Sequence, residues 1–386
     1  MNRTILLLLL IPVLLLACKK DKVTNSVPEE CAQGRTVRDG DIIEGRYIIA
    51  YNPSSLSARN KSVEQVAAVS EELLTRNSIR LAALRESFNG EPGGFIADLS
   101  ANEAARLKND ASVLAVEPDR VVALSICFTV AEPRLVTWNI HRVGYGNGIG
   151  KRAWIIDTGI DFGHPDLTVD KAKSRSFITD QPSADDENGH GTHVAGIIGG
   201  KNNTIGVLGV ASGATLISLR VLDEKGEGTL SSIIQALSYV NSNAAAGDVV
   251  NMSLGEEITS LTFNQQVQYT ASRGIYVAIA AGNDSKAANL FSPGNANGPN
   301  IFTVSAIDSL DNFASFSNFG NDVVDYAAPG VRVLSTFNKS RYAYLSGTSM
   351  AAPHVAGLLL LRGRNLTISG TAKNDPDGVA DPIAHY

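Results

Sequence analysis

From Trp138 onward, short and almost uninterrupted apolar runs alternate with longer segments whose apolar positions recur at helical spacing. RAWIIDTG, TLISLRVL, DVVNMSLG and IYVAIAAGN read as strands; THVAGIIGG, TLSSIIQALSYVNSNAA and LTFNQQVQYTASRG read as the helices between them. Strands apolar on both faces and joined by helical crossovers predict a mainly parallel sheet covered on both sides. A site in such a sheet lies beyond the carboxyl ends of its strands.

Ahead of Trp138 the pattern is that of a smaller unit. RYIIAY and GGFIADLS predict strands, and SVEQVAAVSEELLTRN places Val63, Val66, Val69 and Leu73 at helical spacing. ANEAARLKND predicts a second helix, and VLAVEPDRVVAL a closing strand pair. Residues 45–124 therefore predict a small α+β domain before the α/β one, with 125–137 as the junction and 138–386 as the larger domain. Residues 19–40 are polar and lack periodicity, and 18–44 read as a tether.

The first residues contain an unbroken apolar run from Ile5 to Leu16. It has about the length of a signal-peptide core and falls short of the roughly 20 residues of a membrane span, so 1–17 predict export. LLAC, ending at Cys18, resembles a bacterial lipoprotein signal and implies a lipid anchor there, although Leu two residues before the cysteine departs from the usual small residue. Cys31 and Cys127 remain, and an oxidising compartment permits either a bridge or two free thiols. The net charge of -6, with both signs mixed along the chain, gives no reason to expect a nucleic-acid partner.

Polar residues at predicted strand ends are the candidates for chemistry. Asp157 closes AWII and Asn283 closes AIAAG. His190 lies in DENGHGTHVAG, where flanking glycines let the chain turn into a helix. His193 follows three residues later, but no glutamate is placed for a His-Glu-x-x-His zinc site. His141, His164, His354 and His385 read as structural or solvated. Ser349, in GTSMAAPHVAG, stands where a helix begins, with Pro353 expected within about the first turn. Free N–H groups and the positive end of the helix dipole there suit an oxyanion. Ala351 excludes the G-x-S-x-G elbow. A nucleophile, a base, an orienting carboxylate and an oxyanion donor are thus all present, in the order Asp, His, Ser.

IIDTGIDFGHPDL, NGHGTHVAGIIGG, VVNMSLG, AIAAGN and SGTSMAAPHVAG together resemble the subtilisin-family serine peptidases, nearest to the proteinase-K-like branch. The resemblance implies an α/β, subtilisin-like three-layer fold with a mainly parallel sheet. It also implies a secreted endopeptidase acting on protein or peptide substrates through an acyl-enzyme, with no cofactor for catalysis. By it, Asp157 orients the general base His190, Ser349 is the nucleophile, and Asn283 joins the Ser349 N–H in the oxyanion hole. Gly226 and Gly228 on one side, and Ser253, Leu254 and Gly255 on the other, would hold an extended substrate. YIIAY, GGFIADLS and VLAVEPDRVV resemble the I9-type inhibitor prodomain, implying that residues 45–124 inhibit the cleft until cut away. Pro299, Ile301 and Asp325 match a structural calcium site of the proteinase-K-like branch, after a loop about two residues longer. The competing reading is an inert binding module of the same fold; every residue of the triad is nevertheless in place.

Overall fold

The computed structural model describes residues 30–31, 40–53, 62–123, 127–130 and 135–386. The predicted signal peptide, Cys18, and much of the tether and junction lie outside the described residues.

A nine-stranded sheet forms the centre of the larger domain. Its strands run in the order Thr367–Thr371, Pro382–His385, Val324–Pro329, Ile301–Ile307, Tyr276–Ala280, Val249–Met252, Arg152–Asp157, Thr215–Arg220, Arg175–Ser176. All neighbours are parallel except the first two. Side chains alternate between the two faces, as the pleat requires. Ala153 and Ile155 pack with Val194, Ile198, Val355 and Leu359 from helices His190–Gly199 and Thr348–Arg362. Trp154 and Ile156 pack with Ile233, Leu237, Phe263 and Val267 from helices Leu230–Asn243 and Leu261–Ser272. Burying one such aliphatic side chain contributes roughly 1.5–3 kcal/mol, so this double-sided core fixes the strand that ends in Asp157.

Strand Arg152–Asp157 has Thr215–Arg220 on one side and, later in the chain, Val249–Met252 on the other. Connections therefore leave in opposite directions, and the crevice at the strands' carboxyl ends is the switch point where such sheets bind ligands.

The smaller domain is antiparallel. Its sheet runs Val113–Ala123, Ile42–Tyr51, Gly94–Asp98, Leu84–Phe88, with helices Val63–Arg76 and Ala101–Lys108 over one face. Both helices begin with a serine capping box, Ser62 with Gln65 and Ser100 with Glu103. One expectation needs correction. VLAVEPDRVVAL is one continuous strand, not a pair, and its outer neighbour is Glu227–Thr229 of the larger domain. Strand Leu84–Phe88, LRESF, is apolar only at its two ends and forms the other edge of the sheet.

Candidate active site

Asp157 is fully buried at the end of its strand. Gly189, at φ +118°, turns the chain just before the helix that begins with His190, and a Cβ there would lie 2.3 Å from the Phe337 ring. At Gly191 a Cβ would lie 2.1 Å from the Gly159 carbonyl oxygen, so only glycine lets this helix approach the strand end. The approach brings His190 Nδ1 to 2.7 Å from Asp157 Oδ1. A carboxylate accepts, so Nδ1 carries the proton and the lone pair resides on Nε2.

Asp186 sets up this arrangement, and the sequence reading assigned it no role. Its carboxylate accepts from the backbone N–H groups of Asn188, Gly189 and Thr192 at 2.8–3.0 Å and from the hydroxyls of Thr192 and Thr158 at 2.5 and 3.0 Å. It thus joins the start of the histidine helix to the residue after Asp157. Burial pushes its pKa up, with the hydrogen bonds opposing. The one available signal was its place in DENGHG, where an acidic side chain can reach the free N–H groups of the coming helix.

Ser349 is the second residue of helix Thr348–Arg362 and is 8 % exposed. Pro353 lies in the second turn, not the first as expected. Having no N–H, it leaves the Ser349 carbonyl without its helical partner, and the Ser253 hydroxyl donates to that carbonyl at 2.7 Å. The Ser349 hydroxyl donates in turn to the Ser253 carbonyl at 3.2 Å. Met252 is registered with Ile156, so Ser253 stands beside Asp157 on the neighbouring strand end. Ser349 is thereby held next to the Asp157–His190 pair, although its hydroxyl is turned toward Ser253 rather than His190.

Asn283 Oδ1 accepts from the Thr348 N–H at 2.8 Å and the Thr348 hydroxyl at 3.0 Å, which orients its amide. Gly347, at φ +154°, marks the space between the donors. A Cβ placed there would be 3.6 Å from Asn283 Nδ2 and 3.7 Å from the Ser349 nitrogen. The Asn283 amide and the Ser349 nitrogen therefore lie near one small volume.

The cleft beside this group holds the small domain. Gly228 and Glu227 pair with Val122 and Ala123 in an antiparallel ladder, while Gly226, at φ +78°, forms the turn before them. Side-chain room is absent at Gly228, where a Cβ would meet the Val221 carbonyl oxygen at 2.2 Å. Val122 lines a small pocket with Leu230, Leu254, Gly255, Ile258 and Phe263, together with Glu256 and Ser292. Behind it, Asp119 accepts from the Ser231 N–H at 3.0 Å and hydroxyl at 2.6 Å, at the start of helix Leu230–Asn243. Glu117 accepts from the Thr262 N–H at 3.0 Å and from the hydroxyls of Thr262 and Ser260, at the start of helix Leu261–Ser272. Carboxylates of one domain thus cap two helices of the other.

Two further histidines, His193 and His354, are explained by packing. His193 Nε2 lies 3.0 Å from the carbonyls of both Val333 and Ala343, so it is a donor, and burial pushes its pKa down to about 3. His354 is pushed down to about 4 by burial. Its Nδ1 donates to Met350 and its Nε2 accepts from Asn139. No cluster of three or more metal-ligating side chains is found among the described residues.

A switch-point cleft in a parallel sheet, with a buried Asp–His pair beside a helix-borne serine, defines a serine hydrolase of α/β architecture. The chain belongs to the subtilase family, whose model matches residues 154–367, and the peptidase inhibitor I9 model matches residues 46–125. It is 41% identical over 267 residues to the thermostable alkaline protease of Halalkalibacterium halodurans, covering 69% of this chain and 71% of that one. Against the extracellular serine proteinase of a Thermus species it is 34% identical over 384 residues, 94% of this chain and 90% of that one. The solved structure of a cold adapted subtilisin-like serine proteinase superposes with a TM-score of 0.57 at 33% identity, covering 65% of this chain and 98% of that one. The protein is accordingly a subtilisin-type serine endopeptidase made with an I9 inhibitor prodomain.

Proposed function

We propose that Asp157, His190 and Ser349 are the catalytic triad of this endopeptidase and that Asn283 and the Ser349 N–H form its oxyanion hole. The 2.7 Å contact between His190 and Asp157, beside a serine fixed to the neighbouring strand end, carries this reading. For attack, the Ser349 hydroxyl leaves the Ser253 carbonyl and turns toward His190 Nε2, a rotation about one side-chain bond. His190 takes the hydroxyl proton as Oγ bonds to the substrate carbonyl carbon, and Asp157 stabilises the resulting imidazolium. The carbonyl oxygen becomes an anion in the space beside Gly347. Collapse breaks the C–N bond, and His190 returns the proton to the leaving amine. Water then repeats the sequence on the acyl-enzyme. Substrate backbone pairs with Gly226–Gly228 on one side and Ser253–Gly255 on the other, a β-augmentation that reads main chain first.

The protein is read as an exported zymogen comprising signal peptide 1–17, tether 18–44, prodomain 45–124, junction 125–137 and peptidase domain 138–386, with Cys18 as the lipid-bearing residue. Val113–Ala123 pairs with Glu227–Thr229 as a substrate strand would, and its Val122 packs in one cluster with Leu230, Leu254 and Phe263. The chain leaving Ala123 is therefore the first substrate, and the processing bond falls between Ala123 and Cys127. Mass analysis of the purified protein tests this. Wild type yields a new N-terminus within that interval, whereas Ser349→Ala remains uncut; a processed Ser349→Ala protein contradicts the assignment.

Calcium would be held by the Pro299 and Ile301 carbonyls and the Asp325 carboxylate. The Asn300 carbonyl bonds Val277 on one side of its strand, so the alternating carbonyl of Ile301 faces the other side, toward strand Val324–Pro329. There Asp325 accepts from the Thr303 N–H at 2.9 Å, and burial pushes its pKa up to about 6. A desolvated carboxylate on the strand that the Ile301 carbonyl faces suits a hard cation, whose part would be structural.

A further inference from the structure

We propose that Cys31 and Cys127 form a disulfide that keeps the N-terminal tether covalently attached to the peptidase after processing. This rests on the autoprocessing reading above. The two-residue strand Glu30–Cys31 pairs antiparallel with strand Cys127–Val130, and the register sets Cys31 directly opposite Cys127, with Glu30 opposite Phe128. Directly opposed residues of antiparallel strands have Cα atoms about 4.5 or 5.5 Å apart, according to the type of pair. Both spacings fall within the roughly 4.4–6.8 Å range of disulfides. The chain has 3 cysteines. The third, Cys18, is the candidate for lipid attachment, so these two are each other's available partners.

The strands around the junction decide what the bridge would join. Val113–Ala123 lies in the prodomain sheet and docks on Glu227–Thr229. Cys127–Val130 belongs to a different sheet, pairing Val130 with Ala343 and Thr129 with Tyr344 of strand Arg341–Leu345 in the peptidase domain. Only Leu124, Ser125 and Ile126 separate the two docked strands. A cut at any bond from Ala123 to Cys127 leaves Cys127 on the peptidase and Cys31 on the N-terminal piece. Digestion of residues 45–123 would not release that piece. Its tether runs back to Cys18, so an anchor there would still hold the processed enzyme. Forming the bond removes two electrons and two protons from the two thiols; the acceptor is the disulfide of a thiol oxidase in an oxidising compartment, which departs as a dithiol.

The test uses the full chain exported to an oxidising compartment, as wild type, Ser349→Ala and Cys31→Ser. Uncut Ser349→Ala, denatured with an alkylating agent and no reductant, should give a proteolytic peptide pair joined through Cys31 and Cys127. Alkylation of both residues in that protein overturns the bridge. Separated under denaturing conditions, processed wild type should carry its N-terminal piece without reductant and lose it with reductant, and Cys31→Ser should lose it in both conditions. Processed wild-type fragments that separate without reductant overturn the retention. A joined pair in Ser349→Ala, with wild type left uncut, would uphold the bridge and defeat the autoprocessing reading instead.

Discussion

Asn283 and the Ser349 N–H face one small space beside Gly347, so the contribution of Asn283 should be specific to the charged transition state. Asn283→Ala is expected to lower kcat roughly 10²–10³-fold with KM little changed, a magnitude carried over from the reference measurement, itself made on a subtilisin. Steady-state kinetics on a peptide substrate check it; an equal loss through KM alone would move Asn283 to ground-state binding. Far from the cleft, Asp381 accepts from Ser305 at 2.5 Å, and burial pushes its pKa up to about 7. The folded protein therefore binds this proton more tightly than the unfolded chain does. Its contribution favours folding at low pH and is lost as pH rises from the ordinary aspartate range through about 7. Asp381→Asn should flatten the stability–pH curve in that window, by on the order of a few kcal/mol, as measured by denaturant unfolding. Asp157, His190, Ser349 and Asn283 were legible because each stands at a strand end or helix start that the local pattern marks. Asp186 was not, since its partners, Thr158 among them, are set by packing between segments. The link from Ser253 to Ser349 escaped for the same reason, being a consequence of the proton that Pro353 lacks.

Among the elements, the two helix starts capped from the prodomain are the clearest case of a structure shared between domains. Loss of a capping side chain costs about 1 kcal/mol, equivalent to about a five-fold change in binding. Glu117→Ala and Asp119→Ala should each weaken the hold of the cut prodomain on the enzyme by about that factor, and together by roughly their product if the sites are independent. Inhibition measured on dilution of the processed complex checks this; unchanged inhibition in the double variant would exclude capping as a source of affinity. The central strands and their helices could be read directly, because apolar runs buried on both faces leave a strong signal. Leu84–Phe88 and the outer partner of Val113–Ala123 could not. One is a solvated edge, and the other is paired with a strand from more than a hundred positions downstream.

At the scale of the whole molecule, the prodomain strand Val113–Ala123 lies against Glu227–Thr229 of the peptidase domain. Ser349 is 8 % and His190 2 % exposed in this state. A cavity of about 420 Å³ at the domain seam, beside Arg46, Phe177 and Thr229, is not lined by Asp157, His190 or Ser349. The calcium proposed above would act at this scale as well. Chelation should lower the Tm of the processed enzyme by several °C, an effect that Asp325→Asn removes in advance, since a ligand stabilises only what it binds. An equal response to chelator in Asp325→Asn would place the ion elsewhere. The catalytic claim is tested most directly by exposing the processed enzyme to a fluorophosphonate and mapping the adduct. The account predicts a single modified residue, Ser349, with labelling slowed by orders of magnitude in folded His190→Ala. Labelling at another residue, or at Ser349 with undiminished rate when His190 is absent, would contradict it.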